Sequence, residues 1–135
     1  MGLIYLDSCM LIYAVEDQGR RGETVRRHLS SSRNRVAISP LVVLECMVGP
    51  LKRDDLALRD QYANAIARCE LLSLGLPEFL RAAELRARHA LRTADALHLA
   101  AAQLHGCDAL WTNDSRLAAA SSGLAVDRVN ASKAE

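Results

Sequence analysis

Four acidic residues, Asp7, Glu45, Asp95 and Asp114, stand where carboxylates can work together. Each lies beside or shortly after the start of a segment with helical spacing. A single aspartate at a helix start has a plain explanation, because the helix dipole favours a negative charge there. That explanation is open for Asp7 and for Asp95 taken singly. Glu45 is less ordinary. It is the only charge in LVVLECMVG, where Leu41, Val42 and Val48 are apolar and Gly49 has no side chain. A carboxylate on so apolar a face must be partnered or serve a cleft. If all four acids converge, like charges raise one another's pKa and a cation is needed to hold them together. Oxygen donors alone select a hard ion, Mg²⁺ or Mn²⁺, and such an ion neutralises phosphate charge and activates water. A second ion could stabilise the leaving oxygen.

The elements that would position these acids can be read in outline. Leu3-Ile4-Tyr5-Leu6 is a short continuous apolar run, as in a strand buried on both faces of a parallel sheet. Ser8 is the expected cap of a helix over residues 9–15, which leaves Asp7 at the carboxyl end of the strand. A surface helix over 23–29 carries Arg26, Arg27 and His28 as a basic stripe. Val36-Ala37-Ile38 is a second strand, and Ser39-Pro40 is a strong helix start. Gly49-Pro50 is expected to stop that helix. Residues 54–67 form an amphipathic helix with Leu56, Ala63, Ile66 and Ala67 inward. A third strand lies within 70–74, and a helix runs from Pro77 to about Ala90. Thr93 is the expected cap of a helix that ends near Gly106, with Asp95 in its first turn. Ala109–Thr112 is a strand leading to Asn113-Asp114 and a short helix over 116–120, and 124–126 is the last strand.

This alternation predicts an α/β fold, a three-layer α/β/α domain over residues 1–129 with a parallel sheet of about five strands. A polar, frayed tail follows over 130–135. Parallel strands place ligands at their carboxyl edge, so all four acids can meet there.

Composition narrows the function. The 135 residues are half apolar, enough for one domain with a real core, and the net charge of +1 excludes a strongly basic nucleic-acid coat. Lys52 and Lys133 are the only lysines among 17 basic residues, so the rest are arginine, suited to forked contacts with phosphate. Arg81, Arg88 and Arg92 line up toward Asp95, as a phosphate-guiding rim or a solvent-facing stripe. The apolar runs are too short for a membrane span, and the start of the chain lacks the pattern of a signal peptide, so a cytoplasmic protein is expected. Cys9, Cys46, Cys69 and Cys107 have no metal-ligand spacing and are expected as buried free thiols. His98 and His105 are seven residues apart, too far to grip one ion, and are expected as surface or half-buried histidines.

YLDSCMLIY around Asp7, SPLVVLECMVGP around Glu45, RTADALHLAAA around Asp95 and WTNDSRL around Asp114 together make the chain resemble a PIN-domain nuclease. More narrowly, it resembles the toxin ribonuclease of a VapBC-type toxin–antitoxin pair. Many members have an aromatic residue at the position of Leu117. The resemblance implies an endoribonuclease holding Mg²⁺ or Mn²⁺ chiefly through Asp7 and Asp95, assisted by Asp114 and Glu45, that cuts RNA and stops translation. Ser8, Thr112 and Asn113 would orient the acids or the water, and Arg92 and Arg116 would touch RNA. It also implies a homodimer and a small antitoxin as partners. Two other readings stay open: a DNA or structure-specific nuclease, and a non-catalytic module that keeps the acidic pocket for an RNA or protein ligand.

Overall fold

The LIYL run forms β1 (Leu3–Leu6), buried at all four positions, and it lies at the centre of the sheet. Full burial of a Leu or Ile side chain contributes roughly 1.5–3 kcal/mol relative to exposure, which is why this stretch takes the middle. The computed structural model describes residues 2–31 and 33–129, so the expected tail over 130–135 lies outside the described residues.

After β1 come α1 (Ser8–Glu16), α2 (Arg20–Ser31), β2 (Arg35–Ile38), α3 (Pro40–Lys52) and α4 (Leu56–Ala67). Then follow β3 (Glu70–Leu71), α5 (Leu76–Arg88), α6 (Thr93–Leu104), β4 (Ala109–Trp111), α7 (Ser115–Ala120) and β5 (Ala125–Val126). The described strands form one parallel sheet of five in the order β3-β2-β1-β4-β5, with Tyr5 beside both Ala37 and Leu110. Leu6 lines an apolar cavity with residues of α1, α2 and α4, whereas its neighbour Tyr5 hydrogen-bonds His98 of α6. Successive side chains on a strand point to opposite faces. The early helices therefore cover one face and α6 the other, giving the three-layer α/β/α domain expected from the sequence.

The chain moves outward from β1 through β2 to β3, then returns to the other side of β1 for β4. The gap between the carboxyl ends of β1 and β4 is thus the switch point of the topology, where open α/β sheets bind ligands.

Local details correct several expectations. Asp7, not Ser8, caps α1, its side chain accepting from the Met10 N–H. Thr93 is the first residue of α6 and Arg92 holds the cap position, without a side-chain cap bond. Both shifts move a polar residue by one position, which spacing alone does not resolve. Pro50 does not stop α3, which continues to Lys52. Pro50 lacks the N–H that would bond the Cys46 carbonyl, so the helix loses one bond in its last turn and ends two residues later. On α4 the buried residue is Tyr62, with Ile66 partly buried, while Leu56 is 59% exposed and Ala63 and Ala67 face solvent. Arg26 does not belong to a free basic stripe, because its guanidinium donates to the carbonyls of Ala14 and Asp17 and closes the C-terminal end of α1. The turn after α6 uses Gly106 at φ 68, a conformation that favours glycine.

Candidate active site

Asp7 leaves β1 at the sheet edge and is 7% exposed. Its Oδ1 accepts from the Met10 N–H at 3.2 Å and from the Cys9 thiol at 2.8 Å. Burial pushes its pKa above the ordinary 3.8, while hydrogen bonds from Cys9, Thr112 and the Met10 N–H pull it back down. Burial and the Asp7 charge together push the Cys9 thiol up, so it remains protonated and serves as a donor. Asn113 Oδ1 lies 3.3 Å from the same sulfur, and Asn113 Nδ2 donates to the Tyr13 hydroxyl at 3.0 Å.

Asp114 comes from the other side of the switch point. Its Oδ1 caps α7, accepting from the Arg116 and Leu117 N–H groups at 2.9 and 3.3 Å. The buried Thr112 Oγ1 accepts from the Asp114 N–H at 3.1 Å, so a single hydroxyl contacts both this loop and Asp7. Asp95 sits in the first turn of α6. Its Oδ2 accepts from Arg92 Nε at 3.2 Å, and Arg92 Nη2 lies 3.8 Å from Asp114 Oδ2. Arg92 therefore bridges two of the acids.

Glu45 reaches the site from the second turn of α3. Its Oε1 is 2.6 Å from His98 Nε2, and the hydrogen bond from His98 is the main reason its carboxyl is held below the ordinary range, with the Ser8 hydroxyl and the Arg92 charge adding to the effect. The sequence reasoning that Glu45 must be partnered holds. The expectation for His98 fails, because His98 is 2% exposed and tied on both ring nitrogens. Spacing along α6 could not show this, since the partners Tyr5 and Glu45 come from other elements. His105 is partly exposed and bonded to the Ser73 carbonyl. Of the thiols, Cys46 and Cys107 are buried and Cys9 and Cys69 are intermediate, all free as expected.

Asp7, Glu45, Asp95 and Asp114 line one cavity of about 280 Å³, together with Ser8, Cys9, Arg92, Ala94, His98 and Asn113. Arg116 is exposed and meets the site through its backbone N–H. Among the described residues, no three His, Cys, Asp or Glu side chains are gathered closely enough to grip an ion as they stand. The reason is visible in the contacts: Arg92 supplies the positive charge for Asp95 and Asp114, and His98 holds Glu45. In kind, the donor set fits a hard divalent cation, since it is made of carboxylate oxygens with hydroxyls beside them.

The sequence profile of the PIN domain covers residues 4–122 of the chain. The chain belongs to the PIN-domain family. Similar solved structures include a toxin–antitoxin complex from Klebsiella pneumoniae, 26% identical, covering 93% of this chain and 97% of that one with a TM-score of 0.76. VapBC2 from Rickettsia felis, solved with a fragment of promoter DNA, is 17% identical at TM-score 0.78, covering 92% and 97%. Mycobacterium tuberculosis VapC20, described as a sarcin–ricin loop cleaving toxin, is 19% identical at TM-score 0.74, covering 87% and 94%. At such identities the last two share the PIN fold with this chain. No curated protein matches the sequence significantly.

Proposed function

We propose that this PIN domain is a metal-dependent endoribonuclease, the toxin of a toxin–antitoxin pair, and that it inhibits translation by cutting RNA. The observation that carries the reading is the meeting of Asp7, Glu45, Asp95 and Asp114 on one cavity at the sheet's switch point. The toxins among the similar structures, one of them an RNA-cleaving toxin, support it.

Asp7, Asp95 and Asp114, with Glu45, would hold Mg²⁺ or Mn²⁺. Bound there, the ion supplies charge neutralisation for the phosphodiester and lowers the pKa of water so that it can attack. The chain's own groups do the rest. The Cys9 thiol, the Met10 N–H and the Thr112 hydroxyl fix the direction of Asp7. The Arg116 and Leu117 N–H groups fix Asp114. Arg92, 77% exposed, pairs with Asp95 and Asp114 and would be available to a backbone phosphate if a bound cation supplied the positive charge these acids need.

The partners follow from the same reading. A small antitoxin would dock an apolar helix on the cavity of about 450 Å³ that α1, α2 and α4 surround, lined by Leu6, Leu11, Val15, Leu29 and Val36. A homodimer and a cytoplasmic location belong to the proposal too, and no helix among the described residues is long and apolar enough to cross a membrane. Incubation of the pure protein and Mn²⁺ with matched RNA and DNA oligonucleotides tests the substrate. Cleavage of RNA alone supports the reading, cleavage of DNA alone replaces it with a DNA nuclease, and binding of RNA without cleavage replaces it with a binding module.

A further inference from the structure

Below the acidic cavity runs a buried chain of polar side chains that the four acids do not require. Ser39 Oγ is 2.8 Å from the Tyr5 hydroxyl, and that hydroxyl is 2.7 Å from His98 Nδ1. His98 Nε2 is in turn 2.6 Å from Glu45 Oε1. Ser39 and Tyr5 are fully buried and His98 nearly so. Polar groups so deep are costly unless every donor finds an acceptor.

Ionisation of Glu45 decides the His98 end of this chain. An ionised Glu45 only accepts, so His98 Nε2 carries the hydrogen and donates. Nδ1 faces the Tyr5 hydroxyl, which in turn meets Ser39 Oγ, so both ring nitrogens are held. The chain of contacts runs unbroken from Ser39 through Tyr5 and His98 to Glu45. It also joins the elements that deliver the acids. Tyr5 lies two residues before Asp7 on β1, Ser39 caps the helix that carries Glu45, and His98 lies one turn beyond Asp95 on α6. Glu45 has a long side chain and is itself partly exposed, so its carboxylate needs polar partners to hold one direction. Its largest single interaction is the hydrogen bond with His98, with the Ser8 hydroxyl and the Arg92 charge adding to it.

We propose that His98, oriented by Tyr5 and Ser39, is a positioning residue that aims the Glu45 carboxylate into the cavity for catalysis. This rests on the nuclease reading and adds to it a group outside the four acids. A merely structural role would make His98 a core filler whose replacements differ only in packing.

Two replacements separate these roles. The amide nitrogen of His98→Gln falls near the place of Nε2, whereas that of His98→Asn falls near Nδ1. His98→Asn is expected to lose about 10- to 100-fold in kcat on an RNA oligonucleotide, the usual effect of removing a group that orients a metal-site carboxylate, with KM little changed. His98→Gln is expected to recover most of that loss. Tyr5→Phe keeps the ring and should give a smaller kcat decrease at unchanged KM. Equal losses in the Asn and Gln variants, or wild-type kcat in the Asn variant, overturn the proposal. A second readout does not depend on cleavage. In ¹⁵N-labelled wild-type protein, histidine NMR is expected to show His98 protonated at Nε2, with a resonance that moves in Glu45→Gln. An Nε2 without a hydrogen, or no response to Glu45→Gln, overturns the proposal. If wild-type protein cleaves no RNA while the NMR result holds, the nuclease reading fails and the orientation of Glu45 by His98 stands.

Discussion

At the scale of residues, the site sets carboxylates against one another and offsets them with local donors and one arginine. Asp7 is the most buried of the four, and burial raises its pKa in the metal-free protein. A raised carboxylate binds its proton more tightly when folded, so its contribution to stability is present at low pH and lost as pH rises above the ordinary 3.8. Asp7→Asn removes that loss and keeps the cap on α1, because Asn caps a helix about as well as Asp. The variant is expected to be inactive yet to melt no lower than wild type without metal, with an advantage that grows from pH 4 to pH 7 in about the manner linkage requires. Thermal melts across that range check it. Arg92 makes the opposite kind of prediction. It lies 3.2 Å from Asp95 and 3.8 Å from Asp114, so its charge would compete with a cation for these two acids. Arg92→Ala should bind Mn²⁺ several-fold more tightly by calorimetry, and weaker binding would show that Arg92 supports the metal site instead of competing with it.

At the scale of elements, the sequence was most readable where a residue type answers to its own neighbours. The apolar LIYL run fixed β1, Ser39-Pro40 fixed the start of α3, and Gly106 fixed the end of α6. The failures share one cause, which is that the deciding partner is distant in the chain. His98 reads as an ordinary helical histidine until Tyr5 and Glu45 close around it, and Arg26 reads as a surface charge until it reaches the end of α1. Tyr62 of α4 is buried, with its hydroxyl bonded to Glu16 of α1, so the inward face of α4 is set by α1 and not by its own apolar count. The α1–α2 corner is equally non-local. A Cβ on Gly22 would stand 1.9 Å from the Asp17 carbonyl oxygen and 2.6 Å from that of Tyr13, so only glycine lets the two helices approach this closely. Gly22→Ala is therefore expected to destabilise the fold by about 1–3 kcal/mol, the usual cost of overpacking. Chemical denaturation measures it, and an unchanged midpoint would contradict the close approach.

At the scale of the whole molecule, the two cavities lie on different parts of the domain and have different chemistry. The acidic one opens at the switch point between β1 and β4, and the apolar one lies among α1, α2 and α4. Helix α1 borders both, through Ser8 and Cys9 at its start and Ala14 and Val15 near its end. A partner helix on the apolar cavity would thus rest on the same short helix that Asp7 caps. The complex of this chain with its antitoxin is expected to cleave RNA more slowly than the free chain, and equal rates would remove that part of the proposal. The central claim is that these acids cut RNA with a divalent ion, and one assay tests it most directly. Purified wild-type protein and Asp7→Asn are incubated with a labelled RNA in Mn²⁺, with and without excess EDTA. Cleavage is expected from wild type in Mn²⁺ alone, with none in EDTA and none by the variant; cleavage that persists in EDTA, or an equal rate from Asp7→Asn, would overturn this mechanism.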